Sequence, residues 1–357
     1  DVASPAGADR TLTAAEVNAF VGVTGGVGGL TAGSLTSEGV GLVYTLSANN
    51  TVLTARAGAN GPVVFTVTLS DADTGSYSFN LTGVLDHPVR ASGAANEDVL
   101  TFTFRFAARD GDGDIARNNF AVTVIDDAPI TTGTIATRTV DEDGLPGGTV
   151  DDGYTGDVAG SALLVGGSLN VSWGADDADR GVDTTANGGN TLVQDAIGGN
   201  GNRSVVFTAA TLTSLNAMNL SSNGQPVNYI TNADGTLLVA YRGAAVGSIG
   251  AVDPSNVVFR VSLSDEANGS YSFELLRVLD HPGVDSEDDI NLNFGFRATD
   301  ADGDTVTGSF QVTVDDDAPT FTPGLVENKT VDEEGIGGNP GAPAPYAGSD
   351  YAGEAIT

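Results

Sequence analysis

The chain contains no cysteine, which excludes disulfides and thiolate metal sites together. One lysine (Lys329), one methionine and one tryptophan occur in 357 residues. Basic residues number 14 against 47 acidic ones, for a net charge of −33 and a pI near 4.1. So negative a surface repels nucleic acid and anionic membranes, and cations are its natural partners. Long apolar runs are also missing; none approaches the ~20 residues of a bilayer span. Histidine occurs only as His87 and His281, each in an LDHP phrase. One histidine per phrase without cysteine argues against zinc, and these read as His–Pro turns packed beside an aspartate. Nucleophile-elbow, P-loop and HExxH motifs are absent, so the chain is not expected to be an enzyme. No signal peptide is visible and the first residue is Asp1, so the sequence reads as a piece of a longer chain or a processed product.

What is present is aspartate, 36 residues against 11 glutamates, together with 49 glycines. A need for solubility alone would not distinguish the two acids. The bias points to short carboxylates held in tight loops, where aspartate suits both turns and cation coordination.

Internal repetition is the strongest pattern. GSYSFNLTGVLDHPV (75–89) returns as GSYSFELLRVLDHPG (269–283). NEDVLTFTFRFAARDGDGD (96–114) returns as SEDDINLNFGFRATDADGD (286–304), VTVIDDAPI as VTVDDDAPT, and RTVDEDG (138–144) as KTVDEEG (329–335). The period is about 190 residues. Residues 1–129 read as a repeat without its opening part, 130–319 as a complete repeat, and 320–357 as the opening of a third that could complete a neighbouring domain.

Within the repeats Phe102, Phe104 and Phe106 alternate, as do Leu292, Phe294 and Phe296. This period of two marks half-buried strands. Helical periodicity is confined to two short stretches, 13–20 and 212–220. Strands punctuated by Gly, Asp and Asn turns predict an all-β fold of tandem sandwiches with Greek-key connections.

Six aspartates fall in the 18 residues from Asp300 to Asp317, in two clusters separated by a strand-like run over 308–314. The earlier copy places Asp110, Asp112 and Asp114 before a similar run and Asp126 and Asp127 after it. A strand of that length spans about 25 Å, so the two clusters of one repeat lie at opposite ends of its sandwich. Head-to-tail stacking then sets Asp126 and Asp127 against Asp300, Asp302 and Asp304. Converging carboxylates repel strongly at low local dielectric, and calcium, with its six to eight hard oxygen ligands, resolves the repulsion. Each cluster is therefore expected to be half of a calcium site. The bland alternative is an Asp-Gly turn with solvated charges. An EF-hand is not expected: glycine falls at the fourth loop position, Ile115 and Thr305 stand at the sixth, and no helical pattern flanks the loop.

These phrases resemble the calcium-binding pattern of cadherin-type repeats, which implies an Ig-like, cadherin-like sandwich. By that resemblance Asp126, Asp127, Asp315, Asp316 and Asp317 are linker ligands. Asp110 with Asp112, and Asp300 with Asp302, stand as DxD pairs. Glu142 and Glu333 resemble the acid near a domain's start, and Asp86 and Asp280 stand at the family's LDRE aspartate. Pro88 and Pro282 occupy the place of the family's glutamate ligand, for which Glu97 or Glu287 is a substitute. A closer resemblance is to the tandem repeats of giant type I-secreted (RTX) bacterial adhesins, carried by GSYSF.L...LDHP, L.F.F.A.D.DGD and V.V.DDAP. It implies an extracellular, calcium-stiffened spacer or filament in attachment or biofilm cohesion. The partners it implies are calcium and neighbouring repeats or head-to-tail copies of the chain itself. The glycine-rich nonapeptide repeats and secretion signal associated with such proteins do not occur in this sequence.

A rival reading is a calcium-dependent carbohydrate-binding module for surface glycans. The stretch WGADDADRG, with Trp173 and Asp176, Asp177 and Asp179 ahead of Asp183, is the one that fits it, and reads as a separate acidic loop. Asp71, Asp73, Asp265 and Glu266 lie in strand-connecting turns and are weaker candidate ligands.

Overall fold

The computed structural model describes residues 9–11, 35–72, 74–87, 98–109, 114–149, 157, 160–179, 184–185, 192–193, 201–283 and 287–319. The chain divides into two compact units, 1–318 and 319–357; of the second only Pro319 is described. The fold is all-β, with sheets packed face to face as sandwiches.

Two separate hydrophobic cores lie within the first unit. The first is built from Leu42, Leu53, Phe65 and Val67 on one sheet and Leu100, Phe102 and Phe104 on the other. Its larger sheet is an up-and-down run of Thr36–Ser37, Val40–Leu46, Val52–Ala57, Val63–Ser70 and Ser76–Leu81. Opposite lie Asp9–Thr11, Val99–Arg109 and Ile115–Ile125. The second core joins a six-stranded sheet, from Leu164–Ser168 at one edge to Ser221–Ser222 at the other, to a four-stranded one. The latter runs Arg138–Asp141, Thr305–Asp315, Ile290–Thr299, Ser204–Phe207, with its first pair parallel.

The sequence repeat is a repeat of register. Phe65 faces Leu81 and Ser70 faces Ser76; in the second copy Phe259 faces Leu275 and Ser264 faces Ser270. Leu100 faces Val124 as Ile290 faces Val314. A bulge interrupts both copies, at Ala55/Arg56 and at Ala240/Tyr241. Alternation explains the packing. Ile290, Leu292, Phe294, Phe296 and Ala298 point inward, while Asn291, Asn293 and Arg297 face solvent.

The strand expected over 308–314 runs from Thr305 to Asp315, because its outward residues still pair although they add no apolar pattern. Its 11 residues span about 35 Å and separate the acidic ends further than expected. The helix expected over 212–220 is Ala209–Ala217. It is held over the strand by Thr211 Oγ1, which donates to Gly295 O (2.8 Å) and accepts from Gly295 N (2.9 Å). A Cβ at position 295 would come within 2.7 Å of Thr208 Oγ1, so this approach requires glycine. The stretch 13–20 lies outside the described residues.

Candidate metal centre at the junction of the two sandwiches

The loop Asp300–Asp304 closes on itself. Asp300 Oδ1 accepts from the backbone N–H of Gly303 (2.9 Å) and Asp304 (2.8 Å), and Asp300 N–H donates to Asp304 O (3.0 Å). Gly303, at φ 120°, makes the turn possible. The short aspartate side chain thus shapes the loop with one oxygen and leaves the other free.

The first sandwich meets this loop directly. His87 N–H donates to Asp302 Oδ2 (2.9 Å), and His87 Nδ1 lies 3.1 Å from Asp126 Oδ1. Asp127 Oδ2 accepts from Ala175 N–H (2.8 Å), where a Cβ on Gly174 would clash with the same carboxylate at 2.7 Å. Asp176 is drawn in by the bond from Ala301 N–H to its carbonyl (3.0 Å). Asp126, Asp176, Asp300 and Asp304 are buried, Asp300 completely.

Buried carboxylate oxygens without a hydrogen-bond partner among the described residues collect here: Asp86 Oδ1, Asp126 Oδ2, Asp176 Oδ1, Asp300 Oδ2, Asp302 Oδ1 and Asp304 Oδ2. Protonation is the protein's own response to such crowding. Burial, reinforced by Asp302, pushes the Asp300 carboxyl up to about 9. Burial and then the charges on Asp302, Asp126 and Asp86 push Asp176 up to about 8. Burial with Asp126 and Asp302 pushes Asp304 up to about 7. Asp302 is raised by burial, against the pull of the His87 N–H. Burial alone would lower the His87 pKa, but the bond to Asp126 and its charge raise it. Native proteins satisfy nearly all buried polar atoms, and a carboxylate left unpaired in low dielectric is costly. The donor set, all hard carboxylate oxygen, fits calcium.

The far end of the second sandwich repeats the first sandwich's half of this arrangement. His281 Nε2 lies 3.9 Å from Asp316 Oδ1 and 3.4 Å from Glu142 Oε1, which also accepts from Leu279 N–H (2.7 Å). Its Nδ1 contacts Asp288 O. Burial raises the Glu142 pKa, partly offset by His281 and the Leu279 N–H. Asp141, Asp143 and Asp157 bring carboxylate oxygens within 4.8 Å of one another. Burial, against the Asp143 N–H and with the charges on Asp143, Asp315 and Asp157, pushes Asp141 up to about 6. Asp315 is buried nearby, Asp317 Oδ1 accepts from Thr149 N–H (3.0 Å), and Glu287 Oε1 accepts from Ala318 N–H (3.0 Å).

Not every expected ligand joins a cluster. Asp280 is exposed and its Oδ2 accepts from Gly224 N–H (2.8 Å), clipping a turn whose central residues Asn223 and Gly224 sit at φ 50° and 72°. Asp86 does the same with Oδ2 at the Glu38–Gly39 turn (2.8 Å), while its Oδ1 reaches the junction. The LDHP aspartate is thus first a turn clip. Asp114 is exposed. Asp110, Asp112, Glu97, Glu333, Asp73 and Asp183 lie outside the described residues.

The stretch expected as a separate acidic loop is divided. Asp176 belongs to the junction and Asp179 sits 3.6 Å from Arg203. Trp173 is buried in the core, its Nε1 donating to Ala267 O (2.7 Å) and Arg203 lying over its ring, so it is no exposed sugar platform. Asp141, Asp143 and Asp157 went unselected in the sequence, although the repeated TVDE phrase marks the first of them. Asp98, buried beside the junction, carried a signal in the repeated ED dipeptide.

A domain of unknown function, DUF5801, matches residues 3–123. No curated protein matches the chain. Among solved structures it is similar to a protocadherin gammaB7 EC3-6 cis-dimer, at 12% identity over 88% of this chain and 53% of that one, with a TM-score of 0.19. It is also similar to the human desmocollin-1 ectodomain, at 13% identity over 60% of this chain and 47% of that one, with a TM-score of 0.11. The chain spans about half the length of both. At such scores neither likeness bears on the fold, which rests on the strands and cores described above.

Proposed function

We propose that the chain is a calcium-stiffened spacer of an extracellular bacterial adhesin or filament, of the type its repeats resemble in RTX adhesins. The observation that carries this reading is the set of buried, unpartnered carboxylate oxygens contributed from both sides of one junction. Asp86 and Asp126 of the first sandwich, with Asp176, Asp300, Asp302 and Asp304 of the second, would hold the ion. Calcium supplies the positive charge that these groups otherwise obtain only from protons. The His87–Asp302 and Ala175–Asp127 hydrogen bonds align the two sandwiches, so the ligands are preset rather than gathered from a flexible linker. Extracellular calcium modules work at ~10⁻⁴–10⁻³ M, a range in which six carboxylates need not bind tightly to remain occupied.

Calorimetric titration of the full chain with calcium tests this, compared with Asp302→Asn and Asp179→Asn. Heat of binding that Asp302→Asn weakens and Asp179→Asn leaves alone supports the reading. No binding at millimolar calcium, or equal loss in both variants, overturns it.

A further inference from the structure

The acidic run Asp141–Glu142–Asp143 serves two clusters. Glu142 turns to His281 and to the Leu279 N–H. Asp141 and Asp143 gather instead with Asp157, and each of the three brings a carboxylate oxygen within 4.8 Å of the others. None of the three is in the ligand set that the cadherin resemblance implies, and none contributes to the junction between the sandwiches.

Their place in the fold gives the group a task. Arg138–Asp141 is an edge strand of only four residues, parallel along Val312–Asp315. Parallel pairing is slightly the weaker kind per residue, yet this strand carries Val140, which is fully buried in the second core. Its last residue, Asp141, is the register partner of Asp315, and the two are 4% and 1% exposed. Two buried like charges thus meet where the strand ends. Repulsion at low local dielectric works against the pairing there, and Asp143 and Asp157 add to it.

Hydrogen bonding relieves only one of the two Asp141 oxygens. Oδ1 accepts from the Asp143 N–H (2.8 Å) and caps the short turn Glu142–Gly144. Oδ2 is buried and has no hydrogen-bond partner among the described residues, which leaves it for the cluster. The turn itself is tightly closed. Leu145 N–H donates to Glu142 O (2.8 Å) and Gly148 N–H to Leu145 O (3.0 Å). A Cβ on Gly144 would run into Ser161 O, and one on Gly148 into Asp143 O. The backbone therefore holds Asp143 beside Asp141 without help from an ion.

We propose that Asp141, Asp143 and Asp157 bind a divalent cation of their own, calcium by the hard-oxygen chemistry of the donors, and that this ion fastens the edge strand Arg138–Asp141 by offsetting the repulsion between Asp141 and Asp315. Three carboxylates leave room for water in a shell of six to eight oxygens. The ion belongs to one sandwich, so the proposal goes beyond the junction calcium and stands without it.

Hydrogen exchange read by mass spectrometry on the full chain, in calcium chloride and in chelator, tests this. At a calcium concentration tenfold above Kd, exchange in residues 138–145 should slow by about tenfold, the factor by which bound ion suppresses local opening. Asp157→Asn should abolish that slowing. Asp157 is half-buried in a loop, so its replacement leaves the core intact. Asp143→Asn, which keeps the backbone N–H that Asp141 caps, should do the same. Asp302→Asn, at the junction, should leave the slowing in place. Failure of the junction reading would appear as an unchanged heat of calcium binding in Asp302→Asn, with the slowing at 138–145 still present. Exchange in 138–145 that is indifferent to calcium overturns the proposal. So does slowing that survives both Asp157→Asn and Asp143→Asn, or that is lost only in Asp302→Asn.

Discussion

Replacing Asp300 by asparagine should change the sign of its effect with calcium. Asp300 is completely buried and its carboxyl is pushed up to about 9 from 3.8. Taking up that proton at pH 7 costs about 4 kcal/mol, at roughly 1.36 kcal/mol per pK unit below neutrality. Neighbours share the crowding, so relief at one position is worth about 2–4 kcal/mol. The amide keeps the acceptor that Gly303 and Asp304 use, and its NH₂ can donate into the cluster. In chelator Asp300→Asn should therefore raise the melting temperature by roughly 5–10 °C for a domain of this size. With calcium the same change removes an anionic ligand, and the affinity should fall about tenfold or more. Differential scanning calorimetry in chelator and in millimolar calcium reads both arms. A variant less stable than wild type under both conditions would show that Asp300 is a packing and turn residue, with no charge conflict to relieve.

Three further outcomes follow from the same structure. In chelator the melting temperature should fall between pH 5 and pH 8. Asp304, Asp176 and Asp300, raised to about 7, 8 and 9, favour the folded state at acid pH and lose that contribution as pH rises through those values; saturating calcium should flatten the fall, and a melting temperature that rises over this range in chelator would contradict it. Asp280→Ala should cost about 0.5–1.5 kcal/mol in a denaturant titration, the worth of one turn-clipping hydrogen bond, and leave calcium affinity unchanged; a loss of affinity would return Asp280 to the ligand set. Phe294→Ala, at the meeting point of Phe207, Phe259, Phe273 and Phe310, should cost about 3–5 kcal/mol, whereas a cost near 1 kcal/mol would mean the core collapses into the space.

The strands were legible because their inner faces alternate without interruption from Ile290 to Ala298, and the duplication supplied a second reading of each. Strand ends were less so. Thr305 and Thr307 pair with Thr299 and Arg297 through backbone groups, which leave no mark in an apolar pattern. At the site, Asp126, Asp300, Asp302 and Asp304 stood out because clustered like charge needs a cause. Asp176 was legible as an acidic residue but not as part of that cluster. Its place depends on the backbone bond to Ala301 and on the glycine contact at Asp127, both long-range. Asp280 shows the reverse. A repeated aspartate beside a repeated histidine resembles a ligand pair, yet the carboxylate is used by a tight turn more than fifty residues away in sequence.

The central claim is that calcium locks the two sandwiches together at Asp86, Asp126, Asp176, Asp300, Asp302 and Asp304. Spin labels at exposed Asn49 and Asn216, one on each sandwich, allow the distance distribution across the junction to be measured by pulsed electron resonance. One narrow distribution in millimolar calcium, broadening in chelator and recovering when calcium is restored, is the predicted result. Distributions of equal width with and without the ion would contradict it.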